Sequence, residues 1–209
     1  VLYIDPRGPY PGLVGPSNCW GPERDARTFT GPGPVVAHPP CGPWSNNQRR
    51  NYKGAEHDCA PLALAHVRRF GGVLEHPRGS KLWHEPLGLP RPWRGAPSHT
   101  DRFGGFTIQV TQVEWGHVAR KPTWLYIVGV SRERVGELVD ARPFPGRQPT
   151  HWLSGGRTKS SRRGSPVPPG IKVCSAQQRR RTPPAFAQFL IYIAGSSQQT
   201  ERGAAGDWR

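Results

Sequence analysis

The sequence predicts an α/β fold with an open, mainly parallel sheet and flanking helices. Three observations carry that expectation. Short apolar runs at residues 1–4, 35–37 and 72–75 each stop at a loop rich in glycine and proline, as strands feeding turns do. One stretch of helical spacing lies between the second and third run, so strand, helix and strand follow over a length that suits a parallel crossover. Finally, 26 Gly and 25 Pro among 209 residues, with 34% hydrophobic residues, exclude long helical bundles and favour short elements joined by turns. A chain of this length supports one domain with a real core.

The first run, VLYI at 1–4, ends at Asp5 and enters the loop PRGPYPG. Val35, Val36 and Ala37 form the second, which stops at HPPCGPWS. Two prolines cannot continue a central strand, so Cys41 falls in the loop just beyond the strand end. Asp58 is placed to cap a helix, with Pro61 tolerated in its first turn. Leu62, Ala65, His66 and Arg69 keep the helical register until Gly71-Gly72 ends it. The run at 72–75 then stops at His76-Pro77. In an open parallel sheet the loops beyond the carboxyl ends of the strands line the ligand crevice, so Cys41 and Glu75 are expected to face one cleft. Residues 106–113 alternate as a half-buried strand, and 124–130 form a more continuously apolar one. The loop EWGHVARKPT joins them. Thr182 is expected to cap a closing helix over 182–195, with Pro183 at its first position and Gly195 past its end. Residues 196–209 are a polar tail.

Lys and Arg number 29 against 14 acids, a formal charge of +15, which points to a polyanionic partner. Part of the Arg excess is compatible with GC-rich coding, but its distribution is informative. Residues 141–181 hold ten basic residues and no acid, and read as a flexible basic insert after a core at 1–140. Cys19, Cys41, Cys59 and Cys174 show no CxxC spacing, and the longest apolar stretch is far below the roughly 20 residues that span a bilayer. A reducing, cytoplasmic setting with no membrane segment is therefore expected. A zinc set drawn from His38, Cys41, His57 and Cys59 is disfavoured, because HxC is not a recurrent zinc spacing. No metal is expected.

A cysteine beside a glutamate suits covalent addition to an electron-poor ring. The thiolate attacks, and a carboxyl kept protonated by a dry pocket donates to a ring nitrogen. PPCGPWS at 39–45 resembles the PPCxxxS nucleophile loop of the DNA cytosine-5 methyltransferases. VLEHP at 73–77 is similar to their ENV or ENP strand, RKPTWLYIVG at 120–129 to their QxRxR loop and the following strand, and RTPPAFA at 181–187 to their late VPP segment. The four pieces stand in the family's order, and the short phage and prophage members are the nearest likeness. The resemblance covers most of 1–130 and 181–195.

That resemblance implies a Rossmann-like, methyltransferase-type sheet, S-adenosylmethionine as cofactor, a monomer, and DNA as partner, with its base flipped out or single-stranded. It makes Cys41 the nucleophile toward carbon 6 of cytosine and Glu75 the contact to ring nitrogen 3 and the exocyclic amine. Arg120 or Lys121 matches the basic residue that orients Glu75 and the base. IDPRGPYPG at 4–12 stands where DxFxGxGG is expected, so Asp5, Gly8 and Gly12 are cofactor candidates, joined by Asp25 near the adenine and by Pro39. Ser45 and, in the basic insert, Arg157, Lys159, Arg162 and Arg163 are candidate DNA contacts; phosphate contacts supply affinity and salt dependence but no sequence readout. His76 stands where the family has Asn, and no target-recognition domain is apparent. Two other readings stay open: an amino-methyltransferase without a covalent step, and a catalytically silent DNA-binding relative.

Overall fold

The computed structural model describes residues 1–45, 56–84, 87–153, 167 and 169–197. Its first extended segment is held on both sides. Leu2 forms parallel bridges with Ala37 and with Trp20, its N–H donating to Val36 O at 2.8 Å and its carbonyl accepting from His38 N at 3.1 Å. The expected first strand is reduced to these bridges, because Tyr3 turns into the left-handed region (φ 61°), where an extended ladder cannot continue. A five-residue helix, α1 (Tyr10–Val14), follows.

β1 (Val35–Ala37) pairs in parallel with β2 (Gly72–Pro77), and α2 (Cys59–Phe70) connects them, so the strand–helix–strand expectation is borne out. Asp58 occupies the N-cap position of α2 but makes no capping bond; its carboxylate instead lies 3.8 Å from Arg27. The turn from α2 into β2 requires glycine. Gly72 has φ 111°, and a Cβ there would collide with the backbone of Val35.

β3 (Phe106–Thr111) and β4 (Pro122–Val128) complete a four-stranded sheet of order β1-β2-β4-β3. β4 is antiparallel to both of its neighbours. The sheet is therefore mixed, not mainly parallel as the sequence predicts. The physical reason lies in residues 112–121, which hold only a 3-10 turn and cannot supply the long crossover that a parallel return needs. The reversed strand then inserts between β2 and β3.

α3 (Arg132–Asp140), capped by the Ser131 hydroxyl at Arg134 N, follows β4 and has no counterpart in the sequence reading. Beyond it come a two-stranded parallel ribbon of β5 (His151–Trp152) with β6 (Lys172–Val173), a short helix α4 (Ala176–Arg180), and α5 (Pro184–Gly195). α5 begins one residue later than expected, with Pro183 as its cap and Gly195 as its last residue.

Alternation along the strands creates two cores. Val36, Val73, Ile108, Leu125 and Ile127 look to one face, which α5 closes with Phe186, Leu190 and Ile193. Val35, Ala37, Leu74, Tyr126 and Val128 look to the other, covered by α2, Leu82 and Trp83. Among the described residues no helix is long and apolar enough to cross a membrane.

Candidate active site

Val36 and Val73 are register partners on the α5 face. Two residues further along each strand, the same alternation brings His38 and Glu75 to that face at the strand ends. His38 Nδ1 lies 3.0 Å from Glu75 Oε2, and each side chain is only 12% exposed. α1 delivers a third member: the buried Tyr10 sets its hydroxyl 2.5 Å from His38 Nε2. From the antiparallel side, the buried Gln112 donates Nε2 to Glu75 Oε1 at 3.2 Å and to Thr123 Oγ1 at 3.0 Å. Both carboxyl oxygens of Glu75 thus have a partner.

Burial alone would raise Glu75. The hydrogen bond and charge of His38, with Lys121 and His76 behind them, outweigh that effect and hold the carboxyl at about 2. The sequence expectation of a protonated carboxyl is corrected here: in the free protein Glu75 is a carboxylate, because burial brings its cationic and imidazole neighbours with it. A carboxylate only accepts, so the proton between the two residues sits on His38 Nδ1.

Cys41 stands at the rim of this cluster, in a turn closed by Trp44 N donating to its carbonyl at 3.1 Å. The residue is exposed. The protein crowded around its thiol and the charge of Glu75 push the thiol up, while Lys121 and Arg180 pull it down. Lys121 is the cation that serves both groups. Burial lowers its ammonium, and Glu75 and Cys41 oppose the shift. Its Nζ also donates to the Arg181 carbonyl at 3.4 Å. Arg120, the other basic candidate, is exposed and contributes its carbonyl, which accepts from the Thr111 hydroxyl. The structure brings Lys121 to Glu75 and leaves Arg120 outside.

His76 points to the opposite face, beneath the HPPC loop. It is 1% exposed, with Nδ1 2.7 Å from Ser80 Oγ. Burial lowers it to about 4 although Glu75 and the carbonyls of Pro39 and Pro40 act the other way. Pro39 is buried in this support. Ser45 spends its hydroxyl on Gly42 O at 3.2 Å, closing the turn that carries Cys41.

Comparisons with known proteins find no matching family, no matching curated protein and no matching solved structure.

The cofactor candidates lie around the loop that follows the Leu2 bridge. An open cleft of about 430 Å³ there is lined by Tyr3, Ile4, Asp5, Pro6, Arg7 and Pro22. Its volume is in the range of small-ligand sites. Gly8 N donates to Asp5 O at 2.9 Å, and a Cβ at Gly8 would approach that oxygen to 3.0 Å, so the turn itself calls for glycine. At Gly12, by contrast, no described atom lies within 4 Å of where a Cβ would be. Tyr3 Oη is buried without a hydrogen-bond partner among the described residues. Of the cofactor candidates Asp5 lines the cleft, whereas Gly12 is exposed and lies outside its lining. Asp5 is held low by the side chain and backbone N–H of Arg7, at 2.9 and 3.0 Å. Asp25 is bound to Arg27 at 2.7 Å and does not line the cleft. Its local role is to cap the turn Ala26–Thr28.

Arg157, Lys159, Arg162 and Arg163 lie outside the described residues. Among the described residues no group of three or more His, Cys, Asp or Glu is placed to hold a metal. The sequence reading missed Tyr10, His38, Gln112 and Arg180 as members of the cluster. Gln112 carried a signal: it continues the spacing of Phe106, Ile108 and Val110, all on the apolar side of β3. A polar residue in step with an apolar face is a buried polar group that needs a purpose.

Proposed function

We propose that this protein is a DNA cytosine-5 methyltransferase-like enzyme that adds Cys41 covalently to carbon 6 of a flipped or single-stranded cytosine. The observation that carries the reading is one arrangement: a thiol on the loop after β1 and a carboxyl at the end of the adjoining parallel strand β2, with Lys121 acting on both. The PPC and EHP resemblances fall on those two residues. A Rossmann-like, methyltransferase-type arrangement is supported by strand direction. β1, β2 and β3 run one way with only β4 reversed, and the Leu2 bridges extend the parallel side beyond β1. The charge of +15, with Arg180 and Arg181 next to Lys121, supports DNA as the partner. The protein acts as a monomer in the cytoplasm of a bacterial or phage-infected cell.

Cys41 releases its thiol proton to water and attacks carbon 6, and the Sγ–C6 bond forms as the C5=C6 electrons move through carbon 4 to nitrogen 3. Glu75 accepts from the exocyclic amine with one oxygen and, protonated on the other as charge reaches the ring, donates to nitrogen 3. His38 and Gln112 hold Glu75 in place, and the charge of Lys121 favours its carboxylate and the Cys41 thiolate. S-adenosylmethionine, when bound, supplies the methyl group for carbon 5; the Asp5–Gly8 turn, Gly12 and Tyr3 are the residues that would hold it. Loss of the carbon 5 proton to water and departure of Cys41 restore the ring. Extruding the base from the stack is required because carbon 6 is closed off in a duplex.

Trapping on DNA containing 5-fluorocytosine tests the reading, since fluorine at carbon 5 prevents release. A denaturation-resistant adduct that requires S-adenosylmethionine and is lost in Cys41→Ser supports it. Salt-sensitive DNA binding without an adduct indicates the silent relative instead. Methylation that survives Cys41→Ala indicates an amino-methyltransferase.

A further inference from the structure

We propose that Tyr10 and His38 form a proton store behind Glu75: His38 passes its Nδ1 proton through Glu75 to nitrogen 3 of the base during cysteine addition, and Tyr10 fixes the imidazole for that transfer. The inference rests on the methyltransferase reading and adds positioning residues to it.

Glu75 must hand a proton to the base, yet its carboxyl is ionised in the free protein. The proton has to come from a neighbour. Among the described residues His38 is the one titratable side chain hydrogen-bonded to that carboxyl; the other partner, Gln112, donates an amide N–H that is no acid. Lys121, Cys41 and His76 act on Glu75 through charge, and Cys19 and Glu75 act on Tyr10 in the same way. Tyr10 is 2% exposed, and burial pushes its phenol well above the ordinary range, so it keeps its own proton and is a fixed end of the chain. Its 2.5 Å contact holds Nε2, which leaves Nδ1 directed at Glu75 Oε2.

The proton count closes on one proton. In the proposed cycle His38 starts with a proton on each ring nitrogen, Nε2–H donated to Tyr10 Oη and Nδ1–H to Glu75 Oε2. As Sγ–C6 forms and electrons reach nitrogen 3, Glu75 takes the Nδ1 proton and passes it on, leaving neutral His38 with its Nε2–H. When the ring electrons return, the nitrogen 3 proton goes back through Glu75 to His38. No oxidant, reductant or further reactant enters.

The test compares wild type, His38→Gln and Tyr10→Phe with S-adenosylmethionine on DNA carrying 5-fluorocytosine or 5-azacytosine, with thermal unfolding and DNA affinity measured alongside. The ring nitrogen at position 5 of 5-azacytosine makes carbon 6 electrophilic with less help at nitrogen 3. His38→Gln is expected to slow trapping on 5-fluorocytosine about 100-fold, the low end of what a positioned proton donor contributes, and to slow it far less on 5-azacytosine. Tyr10→Phe follows the same contrast at about 10-fold, and removes only one oxygen, so it keeps the test decisive if His38→Gln does not fold. Equal trapping by wild type and both variants overturns the proton store alone, as does equal loss on both substrates, which marks a purely structural role. Failure of wild type to trap either base overturns the methyltransferase reading and the proton store with it.

Discussion

His38 and Glu75 stand 37 positions apart in the chain and meet at 3.0 Å, because β1 and β2 run parallel in a register that pairs Val36 with Val73 two residues earlier. Replacing the carboxylate by an amide removes a hydrogen bond to a charged group, a loss of about 1.5–3 kcal/mol. Glu75→Gln is expected to abolish trapping and to lower stability at neutral pH. The pH dependence has a fixed sign. Glu75 is lowered from 4.5 to about 2, so its stabilisation is complete above about pH 4.5 and disappears as pH falls toward 2. Urea unfolding at several pH values below 4.5 should show a steeper acid loss for wild type than for Glu75→Gln. Parallel curves would contradict this.

His76 gives the complementary window. Burial lowers it from 6.5 to about 4, so the folded state resists protonation while the unfolded chain accepts it. Stability is complete above about pH 6.5 and falls as pH drops toward 4; between pH 7 and 5 this residue alone accounts for about 2 kcal/mol. His66 and His117 are lowered by burial as well, so the comparison with His76→Asn isolates the one residue. The variant should lose part of the slope in that interval; an unchanged slope would refute the assignment.

Lys121 and Arg120 separate neighbouring charges by role. Lys121→Gln removes the ammonium that faces Glu75 and Cys41, and trapping should fall about 100-fold, as when a single electrostatic donor is deleted from an active site. Arg120→Gln removes an exposed guanidinium and should leave the trapping rate near wild type while reducing the salt dependence of DNA binding. A larger trapping defect in Arg120→Gln than in Lys121→Gln would reverse the two roles.

Gly12→Leu addresses the proposed cofactor loop at 4–12. With no described atom within 4 Å of the new Cβ, and with glycine costing a helix roughly 0.5–1 kcal/mol, the substitution should not lower the melting temperature. The resemblance places Gly12 at the S-adenosylmethionine site, so calorimetry should show cofactor binding weakened. Undiminished binding would move the cofactor elsewhere.

Much of this site was legible in the chain. The prolines after Ala37 and the His-Pro after Glu75 mark two strand ends, and the helical spacing between them makes the strands parallel neighbours, which places Cys41 and Glu75 together. The cluster behind Glu75 was not legible. Tyr10 and His38 carry no mutual sequence signal, since their contact depends on how α1 packs under the sheet. The position of β4 was hidden for a related reason: the short link at 112–121 dictates that β3 and β4 run antiparallel, but which edge β4 joins depends on long-range packing. The ionised state of Glu75 was misjudged because a dry pocket was expected without the imidazole and ammonium that fill it.

The central place of β4 also sets the order in which the candidate site is assembled on a newly made chain. Cys41 and Glu75 leave the ribosome before β4, on strands whose free β2 edge has no neighbour until residues 122–128 arrive. An unpaired central edge invites association with other chains. The same late segment follows directly on Lys121, and Gln112 and Thr123 arrive with it, so closing the sheet and completing the surroundings of Glu75 and Cys41 are a single event. A nascent fragment ending before residue 121 carries Cys41 and Glu75 but not the ammonium whose charge acts on both.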